Sequence, residues 1–291
     1  QVLGAAAVIG PGPVDADLLR EVAQNIAGFF ENGTHLAGQI DDGQLEWLKY
    51  ISPITDYYCQ QIKQRDYRGK RLAYWGHITD QNTLTLMLAL KETGAEIIMG
   101  ACNVDSTDDA AAAYAVSKGI RVYGWQGMSQ KDYQENLSIV RDFEADYLCD
   151  MGGELCVAYI DKQPPVKGSL EATMTGLHLL RKHQLPFPVF NWNDIPLKDL
   201  HNRFHVGDSV WPAFNQITGL SLFGKHILVI GCGPVGKGIA ERARSLGAIV
   251  RVSDLDPVRL LEASHLGCEP VTQAEGLERS DIIVTATGVS G

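Results

Sequence analysis

The feature that most restricts the fold of this 291-residue chain is a glycine-rich turn, Gly231-Cys-Gly-Pro-Val-Gly236. It lies directly between an apolar strand, 226–230, and an amphipathic helix, 235–246. A strand that enters a helix through so short a turn begins a β-α-β unit, and such units build parallel sheets. The glycine spacing adds chemistry to the geometry. Gly231 permits the tight turn, Gly233 lets backbone approach a pyrophosphate, and Gly236 lets helix and strand pack closely. Pro234 and Val235 open the helix, whose first-turn amides and dipole favour phosphate. The following strand, 249–253, ends at Asp254, where a carboxylate can accept from a pair of ribose hydroxyls. That charge would repel a 2′-phosphate, so the expected cofactor is NAD, and Arg251 and Arg259 do not reverse the preference.

Upstream, short apolar runs alternate with helix-length amphipathic segments. Strands are expected at 71–76, 96–100, 120–125, 146–149 and 187–191, and helices at 81–93, 108–118, 130–144 and around 170–182. This rhythm predicts a second parallel sheet covered by helices on both faces. Residues 1–65 read as mainly helical, with apolar positions at helical spacing in 23–30 and 45–50 and a loop punctuated by Gly33, Gly38 and Gly43. A linking helix is expected at 206–220. The predicted architecture is α/β, with two doubly wound, Rossmann-like lobes: 1–215 for substrate and catalysis, 216–291 for NAD. The second lobe shows three clear strands where a complete dinucleotide fold has about six, so it is expected to be incomplete at its C-terminus.

Composition narrows the function. With 25 Lys+Arg against 35 Asp+Glu, the net charge is −10, which disfavours a nucleic-acid partner. No apolar run approaches the roughly 18 residues of a membrane span. The start lacks the charged region of a secretory signal, and the six cysteines form no C-x-x-C pair, so a cytoplasmic setting with reduced thiols is expected. Cys149 and Cys156 read as buried small residues, and His205 as surface. Asp105, Asp108 and Asp109 read as a helix start and not as metal ligands; no metal is expected.

Several motifs now resemble one family. Gly224-Lys-His-Ile-Leu-Val-Ile-Gly-Cys-Gly-Pro-Val-Gly-Lys-Gly238, Asp254-Leu-Asp-Pro257 and Ile283-Val-Thr-Ala-Thr-Gly288 look like the NAD-binding half of adenosylhomocysteinases. Gly76-His-Ile-Thr79, Ala101-Cys-Asn-Val-Asp-Ser-Thr107, Gly152-Gly-Glu-Leu155, Gly168-Ser-Leu-Glu-Ala-Thr-Met-Thr-Gly176 and Asn191-Trp-Asn-Asp194 are similar to its other landmarks, in the same order. The resemblance implies a homo-oligomeric enzyme for a nucleoside substrate. Such an enzyme oxidises the ribose 3′-hydroxyl with bound NAD, removes the acidified C4′ proton, expels the 5′ substituent, adds water and returns the hydride.

On this resemblance Lys198 works at the 3′-hydroxyl and His77 at the leaving group. Thr79 and Asn103 contact substrate, and Thr173, Thr175, Asn202, Thr285 and Thr287 surround the cofactor; Asn202 takes its place if one residue is gapped after Lys198. The departures are specific. Met151 replaces the carboxylate used at C4′, Ala172 replaces one that contacts substrate, His201 stands where the family has an aspartate, and Val206 where it has a reactive cysteine. His201 is a candidate replacement base. The expectation is an enzyme that oxidises and eliminates, as a nucleoside lyase or dehydratase, and hydrolyses S-adenosyl-L-homocysteine poorly. The alternatives are a genuine hydrolase of that substrate or an inactive NAD-binding relative.

Overall fold

The computed structural model describes residues 40–288. The helical spacing at 23–30 and the glycines at 33 and 38 lie outside them. Two compact units emerge, Gln1–Asn191 and Trp192–Gly291, and each is α/β. Among the described residues no helix is long and apolar enough to cross a membrane.

In the first unit two helices, α1 (Asp42–Ile51) and α2 (Pro53–Lys63), precede the sheet. Asp41 caps α1 through the Gln44 amide, and Pro53 starts α2 where its missing N–H costs nothing. Six strands follow: β1 (Arg71–Gly76), β2 (Glu96–Ala101), β3 (Arg121–Tyr123), β4 (Tyr147–Asp150), β5 (Gly168–Glu171) and β6 (Val189–Asn191). Every pairing is parallel, and the order is β3-β2-β1-β4-β5-β6. Helices α3 (Thr85–Glu92), α4 (Asp109–Ser117), α5 (Gln130–Asp142), α6 (Glu154–Ala158) and α7 (Met174–Leu180) make the crossovers. The central strands carry consecutive buried residues, from Ala73 to Gly76 in β1 and from Ile97 to Ala101 in β2, as a sheet covered on both faces requires. Buried alanines along α4 let it lie close to that sheet.

The sequence expects one helix near 170–182. Instead Gly168–Glu171 forms β5, and only 174–180 is helical. The reason is local: Thr173 is extended and its hydroxyl accepts from the Gly176 amide, which starts the helix after the strand. The short α6 also escapes the sequence reading.

In the second unit, α8 (Pro196–Leu200), a wider helical segment His201–Val206 and α9 (Gly207–Thr218) lead into β7 (His226–Ile230). Then come α10 (Pro234–Ser245), β8 (Ile249–Ser253), α11 (Pro257–His265), β9 (Glu269–Pro270), α12 (Gln273–Glu278) and β10 (Ile282–Thr285). The parallel order β10-β7-β8-β9 is the arrangement of a dinucleotide half-fold. The two-residue β9 adds a fourth strand to the three expected.

The units divide at 191/192 and not near 215. Residues 201–218 pack on α10: a methyl on Gly238 would come within 1.7 Å of the Arg203 carbonyl, and one on Gly207 within 2.5 Å of Gly238. The Arg203 guanidinium forks onto Glu241 at 2.7 and 2.6 Å, and the buried Trp211 indole donates to the Ile239 carbonyl at 3.0 Å. The expected linker is therefore part of the second unit, and so is Lys198, which the sequence places in the first.

Candidate active site

Ligands of parallel α/β sheets bind beyond the strands' carboxyl ends, where neighbouring crossovers leave in opposite directions. In the second unit that point lies after β7. Gly231 has φ of +93°, which favours glycine, and a methyl there would come within 2.7 Å of the Ala286 carbonyl. A methyl on Gly236 would sit 1.9 Å from the Gly231 carbonyl, so only glycine lets α10 start so close to β7. Over Gly233, by contrast, the space is open: a methyl would meet only the Arg259 guanidinium, at 4.0 Å. No side chain caps the first turn of α10, which leaves its first amides to an outside acceptor. An open cradle, uncapped amides and a nearby carboxylate fit the pyrophosphate and ribose of a dinucleotide.

That carboxylate is Asp254, at the end of β8. Its side chain turns toward the glycine turn. Oδ2 accepts from the Cys232 amide at 2.5 Å and Oδ1 from the Asp256 amide at 2.9 Å. Although burial opposes ionisation, these amides and Arg259 hold it below the usual carboxylate range. Pro234 and Val235 form the opening turn of α10, while Thr285 ends β10 and Thr287 follows it, both exposed.

Lys198, on α8, donates from Nζ to Asn202 Oδ1 at 3.0 Å. The two are one helical turn apart, so Asn202 is the lysine's direct partner. Burial lowers the lysine's pKa. His201 is exposed, with its ring edge-on to His205 at 5.1 Å; desolvation, then the charge of Lys198 and His205, lower its pKa.

In the first unit the corresponding edge lies beyond β1 and β4. His77 follows β1, its Nδ1 2.6 Å from Ser106 Oγ and 3.9 Å from Cys102 Sγ. Its carbonyl accepts from Tyr74 and Thr83 hydroxyls, both at 2.8 Å, which pins the turn. Thr79 lies 3.4 Å from Thr83 Oγ1 and starts the next helical segment. The Asn103 side chain accepts from the Asp105 amide at 2.7 Å, shaping the loop after β2. Asp108 caps α4 through the Ala110 and Ala111 amides, and Asp109 accepts from the Gln126 amide.

Met151 follows β4, half-buried against the core, with its amide donating to the Trp75 carbonyl at 2.9 Å. Ala172 follows β5 and is buried. Thr173 donates to Glu171 Oε1 at 2.7 Å while capping α7, and Thr175 is exposed.

Two acids that the sequence reading leaves without a role prove central to this edge. Asp150 and Glu171, paired in register, are both 0% exposed. Asp150 Oδ2 accepts from the Cys156 amide at 2.7 Å, and Glu171 accepts from the amides of Gly152 and Thr173. Burial raises both, Asp150 to about 7. Burial together with these acids and Glu154 also pushes the Cys102 thiol up to about 12, so it is no thiolate nucleophile. The signal was an acid closing an apolar strand just before Gly152-Gly153.

A family profile described as S-adenosyl-L-homocysteine hydrolase matches residues 54–163, and one described as its NAD-binding domain matches 202–291. The chain is 32% identical over 255 residues to an S-inosyl-L-homocysteine hydrolase of Methanothermobacter thermautotrophicus, covering 84% of this chain and 61% of that protein. It is 34% identical to the S-inosyl-L-homocysteine hydrolase of Methanopyrus kandleri and 32% identical to an adenosylhomocysteinase of Thermococcus kodakarensis, covering 84% of this chain and 60% of each relative.

Proposed function

Because the chain belongs to the S-adenosyl-L-homocysteine hydrolase family and carries its NAD-binding domain, we propose that it transiently oxidises the ribose of a nucleoside substrate and expels the 5′ substituent. We further propose that it hydrolyses S-adenosyl-L-homocysteine poorly. The Gly231–Gly236 turn and Asp254 would hold NAD, which would supply reversible hydride transfer at the sugar. Lys198 takes the 3′-hydroxyl proton: desolvation favours its neutral form, and donation to Asn202 aims the amine. His77, steadied through Ser106, passes a proton to the leaving group. His201, with its lowered pKa, is the candidate base at C4′.

One observation carries the proposal of poor hydrolysis. The family's carboxylate positions are Met151 and Ala172 here, and the neighbouring acids cannot stand in. The Asp150 and Glu171 carboxyls are fully buried and bonded to the turn they hold. Removing a positioned general base lowers the rate about 10²–10⁴-fold, and His201 would take the C4′ proton from a different direction, suiting a sugar of altered shape or a smaller leaving group. Homocysteine release should therefore be measured from both S-adenosyl- and S-inosyl-L-homocysteine, beside elimination from the corresponding nucleosides. Elimination with little homocysteine release supports the proposal. Homocysteine release from either thioether at ordinary enzyme rates, with the hydrated nucleoside formed alongside it, would make the chain a genuine hydrolase. Substrate binding without any reduction of NAD would make it an inactive relative.

A further inference from the structure

The cradle over the glycine turn contains a cation. Of the two arginines near Asp254, Arg251 is buried and committed elsewhere: its Nε lies 3.0 Å from Glu269, and its Nη1 donates to the Arg279 carbonyl at 2.8 Å. Arg259 differs. It rises from the first turn of α11 and reaches back, placing Nη1 3.6 Å from Asp254 Oδ2 and Nε 3.7 Å from Asp256. The same Nη1 lies 4.0 Å from where a methyl on Gly233 would be. The guanidinium thus occupies the corner between the pyrophosphate approach and the ribose carboxylate.

The two partners are held very differently. Asp254 is 7% exposed in its side chain, and both its oxygens accept backbone amides. Arg259 is 47% exposed and held only by two long ion pairs, so it can swing with little loss. The nearby Lys237 is occupied by Glu262 at 2.5 Å. A 2′-phosphate at this corner would meet one fixed carboxylate that repels it and one adjustable guanidinium with the planar fork suited to phosphate.

We infer that Arg259 is a specificity-determining cofactor contact, and that with Gly233 it forms a latent 2′-phosphate site which the Asp254 carboxylate keeps closed. The inference rests on reading the Gly231–Gly236 turn as the dinucleotide site. Neutralising Asp254 alone should open the protein to NADP, with no new cation added. A charge-assisted hydrogen bond of this kind corresponds to about a 10- to 100-fold change in affinity.

The test is titration calorimetry of NAD, NADP and adenosine 2′,5′-bisphosphate against the full chain and the variants Asp254→Asn, Arg259→Ala and both together. Asp254→Ser replaces Asp254→Asn if the latter does not fold. The parent should prefer NAD. Neutralising Asp254 should raise affinity for the two 2′-phosphorylated ligands about 10- to 100-fold relative to NAD, and adding Arg259→Ala should erase that gain. A gain that persists without Arg259, or no gain at all, overturns the inference. Failure of the parent to bind NAD would instead overturn the reading of the turn.

Discussion

Replacing Asp150 by asparagine should invert the pH dependence of this chain's relative stability. The carboxyl closes β4 at 0% exposure. Oδ2 accepts the Cys156 amide, and Oδ1 has no hydrogen-bond partner. Burial raises its pKa from the ordinary 3.8 to about 7; the Cys156 amide opposes the shift and the charges of Glu171 and Glu154 add to it. Between these values the folded chain holds a proton that the unfolded chain has released. Stability therefore falls as pH rises through that window, and the loss is complete above about 7. About three units at 1.36 kcal/mol each is about 4 kcal/mol. Asparagine cannot ionise, and its carbonyl still accepts the Cys156 amide. Its NH₂ replaces the unpartnered oxygen and costs about 1–3 kcal/mol. The variant should be about 1–3 kcal/mol more stable than the parent near pH 8.5 and less stable by a similar amount near pH 4. Urea denaturation at a series of pH values, followed by the fluorescence of the buried tryptophans, measures the difference. A difference between parent and variant that does not change with pH would refute the argument, since a purely steric or hydrogen-bond effect has no reason to titrate.

Two further outcomes are expected. Lys198→Met should abolish substrate-dependent reduction of bound NAD in a single turnover while leaving NAD binding intact, and Lys198→Arg should not restore it, because a guanidinium does not deprotonate; an unchanged reduction signal would remove Lys198 from the chemistry. Gly236→Ala should lower thermal stability by about 1–3 kcal/mol or more and weaken NAD binding at least tenfold, because the new methyl would lie 1.9 Å from the Gly231 carbonyl; calorimetry with NAD, beside a thermal melt, would detect either effect.

The strands were largely legible because a parallel strand covered on both faces is a short unbroken apolar run. β1, β7 and β8 appear at the residues where the apolar pattern and the flanking Gly and Asp put them. Failures came where signals overlap. Gly168–Glu171 is four residues long with alternating burial, too short to tell from the first turn of the helix behind it. The boundary near 215 failed because a helix that links and a helix that packs share one amphipathic pattern. The glycine contacts of 207 and 238, the Arg203–Glu241 fork and the Trp211 hydrogen bond to Ile239 show that 201–218 belongs with the glycine turn.

The acids at the strand ends show why site chemistry is harder to read than fold. Asp150, Glu171 and Asp254 all close an apolar strand, and each looks available to a ligand in the sequence. Strand pleating and the following turn separate them. Glu171 accepts from the Gly152 and Thr173 amides and Asp150 from the Cys156 amide in the first turn of α6, groups that would otherwise be buried unpaired. Moving either acid one residue along would free a carboxylate but leave those amides unsatisfied. If 151 and 172 are the family's carboxylate positions, as proposed above, the substitutions there remove carboxylates that the turn itself does not need and leave intact the two that it does. On this argument, altered chemistry is compatible with an unaltered scaffold. It also implies that Met151→Asp would add a carboxylate at the edge without disturbing the buried pair. Restored homocysteine release in that variant, with stability near that of the parent, is the outcome this division of labour requires; a collapse of the fold would show that the two roles cannot be separated.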